Sequence, residues 1–315
     1  MDVFIDNLTY ALGSQTTSLE ETVEAGKTLT DADGLKEAGF KLHHTCPLGQ
    51  NAYDLAREAV EPIAGNLGDV GAIIYATCLT YNGNIGSWEK FEEDKDVKNL
   101  MDFPASHLQK DFKLDRAIVL GLNQQACTSM LGSIRLAGMV LSGEPELDPV
   151  LCVSADRFPE GALYEQSYNL ISDGAAACTV STEGGAFKLL AAHQITNGAL
   201  AQANDDETVG TFFNYMHKMI SELLEKASLT PQDMRWVVSQ NTNLKAWQVL
   251  SKLVGVDYET VYHPTIKDIG HVISADNIIN LKHLQESGNV EAGDKLLLTM
   301  AGFGLNWQGL ILEKT

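Results

Sequence analysis

The chain has 315 residues, 44% of them hydrophobic, and its 22 Lys and Arg stand against 42 Asp and Glu for a formal net charge of −20. That length and apolar content suffice for one large α/β unit or two domains of ordinary size, while the acidity argues against nucleic acid or an anionic membrane as a partner. No apolar run reaches the roughly 18 residues of a membrane span, the start Met1-Asp-Val-Phe-Ile-Asp-Asn lacks a basic leader segment, and the five scattered cysteines fit a reduced, cytoplasmic protein with free thiols.

In chain order, Val3 to Ile5 reads as a strand, and the acidic segment from Leu19 as a helix as far as Ala25. Tyr53 to Glu61 is predicted helical, with Leu55, Ala56, Ala59 and Val60 on one face and Pro62 as the stop. Asp69 to Thr77 is a buried strand. Tyr81 to Asp96, rich in Gly and Asn and then strongly charged, reads as an irregular exposed excursion, and a short helix follows Phe103-Pro-Ala-Ser as far as Phe112. Cys78, at the end of a strand with no helix after it, is a rival nucleophile to the cysteine described next.

Ala117 to Leu122 is an apolar run of strand length, predicted buried, broken by Asn123-Gln124-Gln125. Small and apolar residues then recur at helical spacing from Met130 to Leu141, closed by Ser142-Gly143. Cys127 therefore falls where a strand hands over to a buried helix. Unpaired first-turn N–H groups and the positive end of the helix dipole stabilise a thiolate there. They can also stabilise an oxyanion formed on a substrate carbonyl. A buried core cysteine is the alternative reading.

Asp148 to Ala155 is a further strand, and Leu170 to Val180 begins at a Gly-containing turn before becoming one. After Gly184-Gly185 the order repeats: Asp233–Asn241 echoes Asp69–Thr77, Lys245 to Leu253 is a helix, Asp268–Gly288 echoes the loop and helix around Cys127, and Asp294–Met300 echoes Asp148–Val153. A duplicated α/β protein is expected, residues 1–184 carrying the nucleophile and 185–315 a general base. Two such halves packed face to face would bring Cys127 and the His271–Asp276 loop to one shared site.

These stretches resemble the thiolase-fold condensing enzymes, within them the ketoacyl-ACP synthase III branch. The resemblance rests on Ala126-Cys127-Thr-Ser-Met, Ile171-Ser-Asp173-Gly174-Ala175, Trp236-Val-Val-Ser-Gln240-Asn-Thr-Asn243-Leu and Gly302-Phe303-Gly304-Leu-Asn-Trp307, in order and at matching intervals over most of the chain. It implies a five-layer αβαβα thiolase-like fold, a homodimer or a heterodimer with a related chain, and an acyl thioester on Cys127. It places the oxyanion hole at the backbone N–H groups of Cys127 and Phe303, next to Gly304, and makes Phe103 the aromatic that crosses the dimer interface. The substrate is an acyl-CoA or acyl carrier protein thioester, and no cofactor or metal is expected. His43-His44-Thr-Cys46 has no second cluster at ligand spacing.

The departures from the family pattern carry the functional expectation. Gln240 stands where the family has its His, and Gln cannot exchange a proton at neutral pH. Gly270-His271 stands where the family has Gly-Asn. His271 thus becomes the candidate base, with Asp276 five residues on as its orienting partner, or else as the cap of the following helix. Gln240 and Asn243 remain candidate donors to a thioester carbonyl, and Asp173 a structural carboxylate bonding the N–H groups of its own turn. Similar Cys-His-Asp arrangements accompany acyl transfer to oxygen or nitrogen of small molecules, in fatty-acid-like, polyketide or other secondary metabolism. Decarboxylative condensation to a 3-oxoacyl product, thioester hydrolysis and a non-catalytic subunit role stay open.

Overall fold

The computed structural model describes residues 1–303 and 305–315, with all their side chains except those of Asp205 and Val209. Its central sheet contains β1 (Phe4–Leu12), β2 (Ala72–Ala76), β3 (Ile118–Leu122), β4 (Val150–Asp156), β5 (Gly174–Ser181), β6 (Phe187–Thr196), β7 (Met234–Ser239), β8 (Val261–Tyr262), β9 (Lys295–Gly302) and β10 (Asn306–Lys314). Their order is β8-β7-β9-β10-β6-β1-β5-β4-β2-β3. Read outward from the middle, β1-β5-β4-β2-β3 on one side matches β6-β10-β9-β7-β8 on the other, and the sides meet through Phe4 opposite Lys188 and Ile5 opposite Phe187.

The helices that define the layers are α1 (Ala52–Val60), α2 (Ser129–Gly143), α3 (Asp205–Ala227), α4 (Leu244–Val254) and α5 (Asp276–Ser287). Strand alternation decides which layer each one covers. In β2, Ile74 faces inward onto a core shared by Ile134 of α2, Ile278 of α5 and Leu298 and Leu310 from the other side of the sheet. Its neighbour Ile73 faces outward onto Leu55 and Ala59 of α1. In β9, Leu297 faces outward onto Met219 and Leu223 of α3 and Trp247 and Leu250 of α4. The layers therefore run α1, sheet, α2 with α5, sheet, α3 with α4: an αβαβα thiolase-like stack. Strands buried on both faces read as unbroken apolar runs, as Ala72-Ile-Ile-Tyr-Ala76 does. Each large side chain so buried contributes roughly 1.5–3 kcal/mol.

Several expectations change. The apolar run at 118–122 is a strand, but it is the outer edge of the sheet, with Ile118 44% and Val119 39% exposed. An edge strand awaiting a partner and a buried one have the same composition, so the run alone could not separate them. The excursion at 81–96 contains a helix, Trp88–Asp94, started by the Ser87 hydroxyl accepting from Lys90 N–H. β6 and the 23-residue α3 fall where no element was expected. Asp173 accepts not from its own turn but from the N–H groups of Cys46 (2.8 Å) and Phe158 (2.7 Å) and from the Tyr164 hydroxyl (3.1 Å), tying distant segments together. No helix among the described residues is long and apolar enough to cross a membrane.

Candidate active site

Cys127 lies in the single 3-10 turn Ala126–Thr128 between β3 and α2. Ala126 takes a φ of +47°, a left-handed conformation that costs a non-glycine residue roughly 1–2 kcal/mol. No side chain caps α2; the N–H groups of Thr128 and Ser129 instead donate to Gln125 O (3.1 Å) and Ala126 O within the 3-10 turn, and the positive end of the α2 dipole lies beside the thiol. From the opposite half, β9 ends on this turn at Gly302. A Cβ there would stand 2.8 Å from Cys127 N and 3.1 Å from Ala126 Cβ, so only glycine lets the two backbones come so close. That approach brings Phe303, next in the chain, to the mouth of the same cavity.

The second catalytic candidate is set by an equally tight loop. Gly270 has a φ of +77°, and a Cβ on it would meet the Leu170 carbonyl oxygen at 2.9 Å. His271 N–H donates to Leu170 O (2.8 Å) and its carbonyl accepts from Ser172 N–H (2.9 Å), which locks its backbone. His271 Nδ1 stands 2.5 Å from Asp276 Oδ2. Asp276, wholly buried, also accepts from the N–H groups of Asn241 and Val272, each at 2.7 Å. Asp276 is thus the first residue of α5 rather than its cap, which is Ala275. With Nδ1 committed to the carboxylate, Nε2 is the ring nitrogen left for chemistry.

The Cys127 thiol is lowered to about 5, first by a hydrogen bond from Cys78 and then, against the cost of burial, by His271. Burial alone would lower His271, but the Asp276 carboxylate and Cys127 outweigh it and carry the imidazole up to about 10. Both shifts favour a thiolate beside an imidazolium. Cys78 Sγ lies 3.8 Å from Cys127 Sγ, and its hydrogen bond to that thiol, followed by burial, pushes Cys78 well above the ordinary thiol range.

Two features had no signal in the sequence. One is that contact between cysteines 49 residues apart. The other is Asp156, at the end of β4, whose buried carboxylate accepts from Thr77 Oγ1 (2.5 Å), Cys78 N–H (3.0 Å), Leu79 N–H (2.9 Å) and Asn82 Nδ2 (3.2 Å). The Ser274 hydroxyl approaches the same carboxylate at 3.4 Å. Burial carries Asp156 up to about 6. It fixes the Cys78 turn and links it to the His271 loop.

These groups line one cavity of about 690 Å³, in which Cys78, Cys127, Gln240, His271 and Phe303 meet a largely apolar wall that includes Phe158, Phe212, Phe213 and Val249. Gln240 Oε1 accepts from Ala301 N–H at 2.6 Å, which turns its amide so that the NH2 is the end free to donate. Asn243 also lines the cavity, but its side-chain oxygen accepts from Lys245 N–H (3.0 Å) and caps α4. A cap is a sufficient reason for an Asn at that position. Phe103 does not reach this cavity. It is 50% exposed and lines a smaller hollow against Tyr75 and Val119, beside edge strand β3. Gly304 lies outside the described residues. Among the described residues no group of three or more His, Cys, Asp or Glu is placed to hold a metal; His43 instead bonds Thr22 and the Ile171 carbonyl.

Residues 224–314 match the family described as 3-oxoacyl-[acyl-carrier-protein] synthase III C terminal. A beta-ketoacyl-[acyl-carrier-protein] synthase III from Vibrio vulnificus is 26% identical over 291 residues, which cover 82% of this chain and 74% of that protein. Another curated relative is spanned over 64% of its length, under two thirds. Among solved structures, ChlB3, described as an acyltransferase, superposes with a TM-score of 0.83 at 19% identity, covering all of this chain and 98% of its own. The 3-oxoacyl-(acyl carrier protein) synthase III of Pseudomonas aeruginosa gives 0.80 at 20% identity, covering all of this chain and 98% of its own. The chain is a thiolase-fold protein. Within that fold its C-terminal residues 224–314 match the synthase III family, and it is similar over most of its length to the ketoacyl-ACP synthase III proteins.

Proposed function

We propose that the protein is a two-step acyltransferase that loads an acyl group from an acyl-CoA or acyl carrier protein onto Cys127 and passes it to the hydroxyl or amine of a small molecule. The observation that carries this reading is His271, held 2.5 Å from Asp276 and sharing a cavity with Cys127, while Gln240 stands where the family's His would be. One oriented base suits removal of a proton from an acceptor. The ChlB3 acyltransferase shares the fold.

The proton count closes over the cycle. The Cys127 thiolate attacks the thioester carbonyl, and the oxyanion is held by the N–H groups of Cys127 and Phe303. Collapse expels the donor thiolate, which takes the proton from His271 and leaves a neutral imidazole. That imidazole accepts the proton of the incoming hydroxyl or amine as the acceptor attacks the acyl carbonyl. Expulsion of Cys127 then restores thiolate and imidazolium. Asp276 keeps Nδ1 occupied throughout, so every transfer uses Nε2.

The same proposal places the protein in the cytoplasm, in secondary metabolism, and as a dimer through edge strand β3, where Ile118, Val119 and Phe103 present exposed apolar area. A heterodimer with a related chain satisfies the same edge. Decarboxylative condensation is the second reading, favoured by the orientation of Gln240: its NH2 can hold the enolate of an extender thioester.

The test is intact-protein mass spectrometry after incubation with a panel of acyl-CoAs and acyl carrier proteins, followed by addition of acceptors. The expected result is an acyl adduct that disappears from Cys127→Ala and persists longer on His271→Ala. Carbon dioxide released from a malonyl thioester would establish condensation instead, and decay of the adduct without any acceptor would establish hydrolysis. No adduct from any donor would leave the non-catalytic subunit.

A further inference from the structure

The acyl-transfer scheme leaves one nucleophilic side chain of the cavity idle. Cys78 follows β2 in a turn clamped by Asp156, whose carboxylate oxygens each lie 3.0 Å from Cys78 N. The clamp holds Cys78 Sγ 3.8 Å from Cys127 Sγ with both residues lining the cavity. The contrast within the same half is informative. Cys152 and Cys178 also face each other, as register partners on β4 and β5, but both are wholly buried in the core and line neither the cavity nor any surface.

We propose that Cys78 and Cys127 form a peroxide-reactive dithiol site: a hydroperoxide entering the cavity oxidises Cys127, and Cys78 resolves the product into a Cys78–Cys127 disulfide that switches acyl loading off until a dithiol reductant reopens it. The inference rests on Cys127 being the reactive nucleophile of the proposed function. In the first step the Cys127 thiolate attacks the terminal peroxide oxygen. An S–O bond forms, the O–O bond breaks, and the departing alkoxide or hydroxide takes the proton of the His271 imidazolium. Cys127 is now a sulfenic acid. In the second step Cys78 sulfur attacks Cys127 sulfur, the S–S bond forms, the S–O bond breaks, and the hydroxide leaves with the Cys78 proton as water. Two thiols and one hydroperoxide give one disulfide, one alcohol or water, and one water.

The geometry makes the resolving step short. The sulfurs close from 3.8 Å to the roughly 2.05 Å of a disulfide, a movement of about 1.8 Å that side-chain rotation supplies while Asp156 and Gly302 hold the two backbones. Without a resolving thiol, a sulfenic acid proceeds to sulfinic acid, which common reductants do not reverse. Cys78 therefore converts terminal damage to a low-pKa nucleophile into a reversible state.

The test treats the purified full chain, without substrate, with hydrogen peroxide and in parallel with cumene hydroperoxide, blocks free thiols, and maps Cys-containing peptides by mass. Wild type is expected to lose about 2 Da, to yield a cross-linked peptide pair containing Cys78 and Cys127, and to recover both thiols in dithiothreitol. Cys78→Ser is expected instead to gain about 32 Da on Cys127, with no recovery. Gain of 32 Da on wild-type Cys127 without the cross-link, a cross-link to any other cysteine, or equal recovery in Cys78→Ser would overturn the proposal. If Cys78→Ser does not fold, the wild-type peptide map alone decides. The readout needs no acyl donor, so a protein that forms the disulfide but never accepts an acyl group refutes the acyltransferase reading and leaves the dithiol site standing.

Discussion

The two inner helices hold matching places in the two sides of the fold, yet they position their active groups by opposite means. α2 is apolar and small, with Met130, Leu131, Ile134, Ala137 and Leu141 buried and no side-chain cap. Its contribution to Cys127 comes from backbone: a strained turn, the positive end of the helix dipole and the close approach of Gly302. α5 buries Asp276, Asn277 and Asn280 in its first turns. Asn277 Nδ2 donates to the carbonyls of Val238 (2.9 Å) and Thr299 (3.1 Å). Asn280 Nδ2 donates to the carbonyl of Ser239 and to Asn241 Oδ1, each at 2.9 Å, while its Oδ1 accepts from Thr265 Oγ1 at 2.7 Å. The nucleophile needs an open approach, which the backbone supplies, and a thiolate-favouring field, to which the side chains of Cys78 and His271 contribute most. The base needs one ring orientation and one tautomer, which a buried network of side-chain hydrogen bonds supplies.

The largest break removes the nucleophile. Cys127→Ala should abolish acyl loading altogether, because the adduct has no other atom of suitable reactivity to form on; Cys78, held well above the ordinary thiol range, does not substitute. An adduct of equal amount in this variant would move the nucleophile elsewhere. Next comes the carboxylate behind the base. Asp276→Asn should slow the transfer step by about 10³–10⁴-fold and the loading step far less, since the thiolate attacks without a base. Single-turnover measurements separate the two steps, and equal slowing of both would mean that Asp276 acts on Cys127 and not through His271.

The third prediction concerns charge. Cys127 is lowered to about 5, so its alkylation by iodoacetamide should rise through pH 5 and stay flat above it, where an ordinary thiol is still gaining about tenfold per pH unit. In His271→Ala the thiolate loses its cationic partner and the inflection moves up. A return to an ordinary thiol near 8.5 would cut the rate at pH 7 by about 30-fold. A profile that does not move in this variant would assign the thiolate to Cys78 and the helix dipole alone.

The same contrast governs how much the sequence reveals. Cys127 was legible because strand, polar break and helix follow one another within a single segment. The His271–Asp276 loop was legible because it echoes that segment, and the two residues within it because the family resemblance puts His271 in the place of an Asn. Cys78 was legible only as a rival nucleophile at a strand end; its contact with Cys127 and the clamp of Asp156 were not, because those contacts span 49 and 78 residues. The exposed face of β3 was invisible for a different reason: an apolar run records that a surface is to be covered, not whether the same chain covers it. β6 was missed because Lys188 and His193 interrupt its apolar residues and most of its side chains are only half-buried, so it shows neither a continuous run nor a clean alternation.

The smallest effects test the comparison itself, in stability and not in rate. Asn280→Ala removes both donors and one acceptor at a wholly buried site, leaving the Ser239 carbonyl, Asn241 Oδ1 and the Thr265 hydroxyl short of a partner. Unsatisfied buried groups cost about 1–3 kcal/mol each, and partial relaxation should leave a loss of about 3 kcal/mol in a urea melt. Ile134→Val, at the wholly buried face of α2, deletes a single methyl and should cost about 1 kcal/mol. The functional consequences should diverge further. Asn280 holds the Asn241 side chain, and Asn241 N–H is one of the donors that fix Asp276, so its loss should slow acyl transfer along with stability. Ile134 offers no polar group to the turn that holds Cys127, and its variant should load acyl groups at the wild-type rate. If the two variants lose stability equally and neither changes the transfer step, the polar network beneath α5 is packing in another guise, and the orientation of His271 must come from its locked backbone alone.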